Sequence, residues 1–311
     1  MSTDTTSKAD IYTRVTDTII AALERGVRPW QPRWTARGHD GHISRPLRVT
    51  GEPYRGINVL MLWGAAEEKG YRDSRWMTFR QALELGAAVR KGERSTEVVY
   101  ASSFVKRGSE GPSENAGDGQ VADGEDRAIF FLKGYHVFNV EQIDGLPEKF
   151  SAAAEAEADD GTPEARIAAA EAFVKATGAA VKKGGARAYY APLPDFIKLP
   201  AFKAFVDASA YYATLLHELT HWTGHATRCD RPILNRPDTH GYAREELVAE
   251  IGAAFLCGDL GVAAEPREDH ATYLANYLAL LKADKRAIFQ ASTAAQKAAD
   301  FLHGLQPAAA R

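Results

Sequence analysis

The spacing of apolar residues in the first half of the chain predicts helices followed by strands. Apolar positions recur every three or four residues over 11–23, and Gly26 stands where a helix would end. The same periodicity predicts helices over residues 57–68 and 78–85. Residues 97–106 and 128–140 are rich in Val, Phe and Tyr and predict strands. This half therefore has the pattern of an α+β domain.

The second half is predicted to be mainly helical, with a small sheet near its start. Helical periodicity covers residues 165–176, 211–224 and 242–261, and two more amphipathic helices fill 268–305. Residues 181–200 predict a hairpin around Gly184-Gly185 and then an extended strand. Because proline cannot donate to a strand ladder, Pro192 and Pro194 favour an edge position, where a peptide could pair as an added strand.

Length and composition indicate two globular domains. At 311 residues the chain can form two cores. We expect a first domain over 1–150 with a disordered hairpin insertion at about 108–128, a small, acidic linker over 151–166, and a second domain over 167–311. No apolar run approaches the ~20 residues of a membrane span, and the polar start lacks a secretory pattern. With only two cysteines, a cytoplasmic location without membrane partners is expected.

The strongest chemical signal is the pentad His217-Glu218-Leu219-Thr220-His221. Histidines four residues apart project from the same face of a helix, so both imidazoles can reach one metal ion. The glutamate beside the first histidine can take a proton from a water at the metal without being a ligand. The pattern therefore predicts a catalytic site for Zn²⁺, with another divalent ion such as Mn²⁺ as the alternative.

The third ligand is less sharply defined. A catalytic zinc takes three protein ligands and keeps one position open, and the acidic helix after the pentad offers Glu246 as our choice. We expect Glu250, four residues on, to orient a histidine N–H, although the two roles could be exchanged. His225 is a third option for the ligand. Tyr242 could donate a hydrogen bond to a developing oxyanion.

Arginines and tryptophans interleave in the first half of the chain. Residues 25–107 hold sixteen Lys and Arg against eight Asp and Glu. Rings that stack on unpaired bases beside cations that hold phosphates are typical of single-stranded nucleic-acid grooves. The candidate DNA contacts are Trp30, Trp34, Arg55, Arg72, Arg75, Trp76, Lys91 and Arg94. Trp63, within an apolar run, is predicted to lie in the core instead.

Several segments together resemble the ArdC-type antirestriction proteins of conjugative plasmids. They include YTRVTDTIIAALERGVRPWQPRW, WMTFRQALELGAAVRKGE, VFNVEQIDGLP and LLHELTHWTGH. The resemblance implies an N-terminal single-stranded-DNA-binding domain joined to a zincin-like metallopeptidase domain, and a role in protecting incoming DNA during conjugation. His217, Glu218 and His221 match its metal motif, whereas the third ligand is not given by that motif.

Three functions are compatible with these features. The first is a DNA-binding antirestriction protein whose metal site hydrolyses a peptide or protein substrate. The second is a DNA-tethered protease that removes proteins bound to single strands. The third is a binding protein whose metal only stabilises the fold, a reading that leaves Glu218 without a task.

Overall fold

The architecture is α+β, as predicted. A computed structural model describes residues 10–30, 44–106, 127–150, 162–233, 240–263 and 270–307. Among these residues, no helix is both long and apolar enough to cross a bilayer. Most of the predicted insertion at 108–128 and most of the predicted linker at 151–166 lie outside the described residues.

The described residues of the N-terminal half form three helices and six strands. The predicted helices are confirmed, and Thr78 caps the third of them by accepting a hydrogen bond from the Gln81 backbone N–H, while Gln81 reaches back to Thr78. The elements are α1 (Ile11–Glu24), β1 (Leu47–Arg48), α2 (Ile57–Lys69), β2 (Arg75–Met77), α3 (Phe79–Glu84), β3 (Ala88–Val89), β4 (Thr96–Lys106), β5 (Arg127–Asn139) and β6 (Ile143–Asp144).

The larger sheet of this half has the order β1-β2-β5-β4. The first two strands run parallel, while β2 with β5 and β4 with β5 pair antiparallel. Strands β3 and β6 form a separate antiparallel pair. The long β4–β5 hairpin is the one predicted from its Val, Phe and Tyr content, and it packs against α2.

In the described part of the C-terminal half there are five helices and a three-stranded sheet. Its elements are α4 (Pro163–Ala176), β7 (Val181–Lys183), β8 (Tyr189–Ala191), β9 (Phe196–Leu199), α5 (Ala208–Trp222), α6 (His240–Leu260), α7 (His270–Ala283) and α8 (Ala287–Gly304). Helix α6 packs against α5, α7 and α8 and so lies at the centre of this half.

The order of the small sheet corrects one prediction. The strand that leads into α5, β9, was expected at an edge, but it lies in the centre, in the order β7-β9-β8. It pairs parallel with β7 and antiparallel with β8, so no hairpin forms around Gly184-Gly185. Pro192 and Pro194 avoid the ladder because they lie in the turn between β8 and β9. The edge strand with a functional position is therefore β8.

The two halves share a hydrophobic core. We expected a separate core for each, but one cluster of buried side chains runs from Val15 in α1 to Leu302 in α8. Helix α1 packs on α7, and α2 packs on α8. A smaller cluster around Met77 belongs to the N-terminal half alone. The halves are therefore joined by buried apolar surface, which favours a fixed relative position.

Three tryptophans of the N-terminal half, Trp30, Trp63 and Trp76, are enclosed in the shared core. Trp63 was predicted there, but Trp30 and Trp76 were predicted to stack on DNA bases and are 0% and 1% exposed. Trp30 packs edge-on against Tyr277, and Trp76 packs edge-on against Tyr71. Neither ring offers a face to a base in this conformation, so we withdraw both as stacking residues. Trp34, the other predicted stacking residue, lies outside the described residues.

Replacing Trp30 by Ala is expected to reduce the free energy of unfolding by about 3–5 kcal/mol, because it leaves a cavity between the two halves. Urea denaturation followed by circular dichroism measures this loss. Leu193→Ala is the control, since Leu193 is 99% exposed and its truncation should change stability by less than about 0.5 kcal/mol. Equal midpoints for Trp30→Ala and wild type would contradict the burial of Trp30.

Candidate metal centre

Helix α5 carries the two histidines on one buried face. It begins at Asp207, whose carboxylate accepts a hydrogen bond of 2.8 Å from the backbone N–H of Ala210. One turn of helix separates His217 and His221, and their ring centroids are 4.8 Å apart. Both imidazoles are buried. The four-residue spacing thus has the structural consequence predicted from it.

Close packing of α6 on α5 places carboxylates opposite these histidines. Gly252 of α6 lies against Thr220, so closely that a Cβ at position 252 would stand 2.5 Å from the Thr220 methyl group. Only glycine fits at that point without displacing one helix. The approach brings the acidic start of α6, with Glu245 and Glu246, to the imidazole pair.

Glu246 completes a set of three ligand atoms with the histidines. Its Oε2 lies 3.6 Å from His217 Nε2, and its Oε1 lies 3.4 Å from His221 Nε2. All three ligand atoms lie within 4.8 Å of one another. Metal–ligand bonds of about 2.0–2.2 Å in tetrahedral geometry separate neighbouring donors by about 3.4 Å, which the two distances from Glu246 match. The geometry thus supports Glu246 over its alternatives.

The neighbouring Glu245 contacts His221 and is suited to orient its ring, a role that the sequence had suggested only for Glu250. His221 Nδ1 lies 3.1 Å from Glu245 Oε1, which leaves Nε2 for a metal. Arg231 in turn donates to both Glu245 oxygens, at 2.9 and 3.1 Å, and to the carbonyl of Thr220 at 2.7 Å. Glu250, which was predicted to orient a histidine N–H, lies one turn of α6 beyond Glu246.

His225 has a different environment from the two pentad histidines. Its Nδ1 accepts a hydrogen bond of 3.2 Å from the backbone N–H of Thr227, in the turn that follows α5. Within the described part of the chain, His225 is not among the side chains that converge on the candidate ion position. The helix ends before this residue, as Gly224 suggested.

The carboxylates favour positive charge at the site. Burial opposes protonation of His221, yet hydrogen bonds with Glu245 and Glu246 outweigh it and raise the pKa of His221 to about 10. Burial would raise the pKa of both carboxyls, but their contacts with the histidines, and with Arg231 in the case of Glu245, hold it below the ordinary value. A cation at this position is thus stabilised electrostatically.

A cleft of about 640 Å³ opens onto the ligand set. Glu218 and Tyr242 line it, as do Tyr190 and Tyr273, two residues that the sequence did not single out. The hydroxyl groups of Tyr242 and Tyr273 are 3.2 Å apart. Burial, supported by this contact and by the charge of Glu246, raises the pKa of Tyr242, so its hydroxyl remains a hydrogen-bond donor.

A row of aromatic rings connects this cleft to the N-terminal half. Tyr242 stacks on Tyr273 and Tyr273 stacks on Tyr277, with centroids 6.4 and 6.3 Å apart. Tyr277 then contacts Trp30 edge-on at 5.9 Å. Trp30 thus has a structural role that explains a tryptophan at this position without a nucleic-acid contact.

The basic residues predicted to bind DNA differ in their surroundings. Arg75 donates to Asp73 and to the carbonyl of Lys149, and Arg55 is paired with Asp300. The side chains of Arg72, Lys91 and Arg94 are exposed. In the described part of the chain, these three side chains form no ion pair, so their charges are accessible to DNA.

A second cleft lies beside these residues. It measures about 490 Å³, lies among α1, α2 and the start of β4, and is lined by Arg94 and the half-buried ring of Tyr71. Tyr71 is therefore a stacking candidate that the sequence analysis missed. An aromatic residue directly before Arg72 is the sequence feature that could have indicated this role.

Comparison with known proteins assigns a different family model to each half. A model for zincin-like metallopeptidases matches residues 168–294, and a model for the N-terminal domain of the anti-restriction factor ArdC matches residues 9–138. The uncharacterized protein y4eC of Sinorhizobium fredii (strain NBRC 101917 / NGR234) is 41% identical over 100% of this chain and 98% of its own length. A DNA primase TraC of Escherichia coli is 36% identical over 95% of this chain, which spans 27% of that primase.

Two crystal structures are similar to the whole chain. The metal-free antirestriction ArdC protein from the R388 plasmid is 44% identical, with a TM-score of 0.76 over 96% of this chain and 98% of that one. The Mn(II)-bound structure of the same protein is 43% identical, with a TM-score of 0.75 over 96% and 99% of the two chains.

Replacing Glu245 by Gln is expected to weaken metal binding by about 10–100-fold, because the amide no longer fixes the orientation and charge of His221. Isothermal titration of the metal-free protein with Zn²⁺ or Mn²⁺ measures the affinity. Glu164→Gln, the same change at an exposed position of α4, is the control and should leave the affinity unchanged. A larger loss for Glu250→Gln than for Glu245→Gln would assign the orienting role to Glu250.

Proposed function

The chain belongs to the ArdC family of antirestriction proteins, and from this we propose that it binds single-stranded DNA and carries a working divalent-metal peptidase site. In this proposal the N-terminal half holds the DNA and the C-terminal half hydrolyses a peptide or protein. The biological purpose is protection of incoming plasmid DNA during conjugation. The similarity to an antirestriction protein and to a DNA primase supports this assignment.

The observation that carries the peptidase proposal is the convergence of different groups in one cleft. The ligand atoms of His217, His221 and Glu246 lie together, and Glu218 and Tyr242 line the same space. A metal with a purely structural role is normally closed by a fourth protein ligand, whereas the described residues supply three that face a cleft. The arrangement is the one expected for hydrolysis.

A divalent cation held by this set would polarise a peptide carbonyl and make a neighbouring water a better nucleophile. Glu218, which follows the first histidine and lines the cleft, would accept the proton of that water and pass it to the leaving amine. The Tyr242 hydroxyl, kept protonated by its surroundings, donates a hydrogen bond to the carbonyl oxygen as negative charge develops. The His₂Glu donor set suits zinc, and we propose Zn²⁺ with Mn²⁺ as the alternative.

Strand β8 offers a place for the peptide. It is an edge of the small sheet, and residues 186–190, at and before its start, line the metal cleft. An extended peptide paired with this edge would lie across the site as an additional strand. Arg228 anchors the strand, because it donates to the Tyr190 hydroxyl at 3.0 Å and pairs with Asp195 in the following turn.

The alternative in which the protein acts as a DNA-tethered protease has specific structural support. The two halves share one core, and aromatic rings extend from Trp30 to the cleft. A protein bound to the same DNA strand would therefore be held at high effective concentration near the site. In this version antirestriction follows from removal of DNA-bound proteins.

Replacing Glu218 by Gln is expected to lower the rate of peptide hydrolysis by about 10²–10⁴-fold, because the amide cannot accept the water proton. Hydrolysis of an unstructured protein such as casein, with and without single-stranded DNA, measures activity. Metal content and thermal stability should match those of wild type. Hydrolysis at the wild-type rate in the variant would remove Glu218 as the base.

A conjugation assay that measures how well Glu218→Gln protects incoming DNA distinguishes an antirestriction function based on DNA binding from the DNA-tethered protease. Full protection by the variant would show that DNA binding is sufficient. Loss of protection at unchanged DNA affinity would show that turnover is required, as the tethered-protease version demands.

Replacing Lys91 and Arg94 together by Glu is expected to weaken binding of a single-stranded oligonucleotide, since both charges are exposed and would repel phosphate after reversal. Fluorescence anisotropy at several salt concentrations measures the affinity, which should become less salt-dependent. Arg80→Glu is the control in the same half, because Arg80 already pairs with Glu84. Equal affinities for all three proteins would exclude Lys91 and Arg94 from the DNA site.

A further inference from the structure

The three-stranded sheet of the C-terminal half presents an outer face of unusual composition. Ile197 and Leu199 of the central strand β9 are buried against the core, so the alternate residues face outward. The register aligns Lys182 of β7, Lys198 of β9 and Tyr189 of β8 in one row across the sheet. With Phe196, these residues form what we call the basic sheet face.

The charge around this face is strongly one-sided. Residues 175–206 contain six Lys and Arg and one acidic residue, Asp195. Asp195 is already neutralised by Arg228 and accepts a hydrogen bond from the Tyr190 hydroxyl. Lys182 and Lys198 form no ion pair with a carboxylate in the described part of the chain. In a protein of net charge −3, this local excess favours an anionic partner.

Aromatic rings lie between these cations. Tyr189 is 47% exposed, and its ring centroid is 6.4 Å from that of Phe196. The ammonium group of Lys182 lies 3.8 Å from the Phe196 centroid. Exposed rings cost free energy in water unless a partner covers them, and an unpaired base is a partner that also brings a phosphate to the adjacent lysines.

The basic sheet face continues into the metal cleft. Tyr189 belongs to this face and also lines the cleft, as does Arg187 in the loop before β8. A strand lying on the sheet would therefore pass the mouth of the cleft. A surface whose lysines serve only for solubility would have no reason to adjoin the cleft in this way.

We propose that the basic sheet face is a second single-stranded-DNA surface, located in the metallopeptidase half. Bases stack on Tyr189 and Phe196, while Lys182, Lys198 and Arg187 contact phosphates. Single strands are favoured over duplex because stacking on side-chain rings requires bases that are not stacked on each other. The inference rests on the proposed DNA binding and adds a location beside the peptidase site. It implies that the substrates of the peptidase site are proteins bound to single-stranded DNA.

The test measures binding of full-length protein to oligothymidylate of about 16 nucleotides, the upper end of one single-strand site, by fluorescence anisotropy across a salt series. The double variant Lys182→Glu with Lys198→Glu should bind at least about tenfold more weakly. Its slope of log affinity against log salt should be shallower by about 1.4, the value for two lost phosphate contacts. Tyr189→Ala should lose about tenfold in affinity at an unchanged slope.

Controls separate this site from the other half and from other partners. Lys297→Glu, the same charge change on an exposed position of α8, is matched to Lys182→Glu and should retain wild-type affinity. The proposed role of the basic sheet face is overturned if the double variant and Tyr189→Ala both bind with wild-type affinity and a wild-type salt slope. Lys91 and Arg94 would then remain as the DNA site. Failure of the wild-type protein to bind the oligonucleotide would overturn the DNA function itself.

Two further ligands test the chemistry of the partner. If the double variant loses affinity for a duplex of the same length as strongly as for the single strand, the stacking argument is overturned. If it loses affinity for polyglutamate but not for oligothymidylate, the partner is an acidic protein instead of DNA. Loss confined to the single strand supports the proposal.

Discussion

The pairing of buried carboxylates with buried imidazoles is the constraint on which the packing of the C-terminal half depends. Two carboxylates, Glu245 and Glu246, lie opposite two buried imidazoles, and an unpaired carboxylate in such a place would be costly. Arg231 and His221 satisfy Glu245, whereas Glu246 faces the position where a metal cation fits. The helices must therefore pack closely and in one register. Gly252 makes that approach possible because any side chain there would collide with Thr220.

This arrangement separates two tasks between adjacent residues. Glu246 offers its oxygens to the same point as His217 and His221, while Glu245 holds the far side of the His221 ring. Arg231 extends the network to the segment that follows α5, so the turn after the metal helix also contributes to the position of the ligands. The site is consequently built from three segments that are separate in sequence.

The shared core gives the two halves a common mechanical framework. Trp30 is the last described residue before the basic, tryptophan-containing stretch of the first half, and it packs into the ring series that ends at Tyr242 in the cleft. In the proposed function, DNA held by the N-terminal half and a peptide held at β8 would thus be bound to halves that share one core. The basic sheet face lies beside that cleft, since Tyr189 belongs to both.

Local sequence pattern was sufficient to predict the helices, the long β4–β5 hairpin and the pairing of His217 with His221. Each depends on the periodicity of neighbouring residues, which the backbone geometry of a helix or strand translates directly into a shared face. Thr78, as an N-cap, is predictable for the same reason. The identity of the metal helix was therefore contained in fifteen consecutive residues.

Tertiary structure alone decided the remaining points. Glu245, Glu246 and Glu250 all lie on one helix, and only the packing of α6 against α5 selects which carboxylate reaches the ion position and which reaches the ring. The burial of Trp30 and Trp76 and the central position of β9 likewise depend on partners far away in sequence. Residue types and spacing state what chemistry a chain can perform, whereas contacts between distant segments determine which side chain performs it.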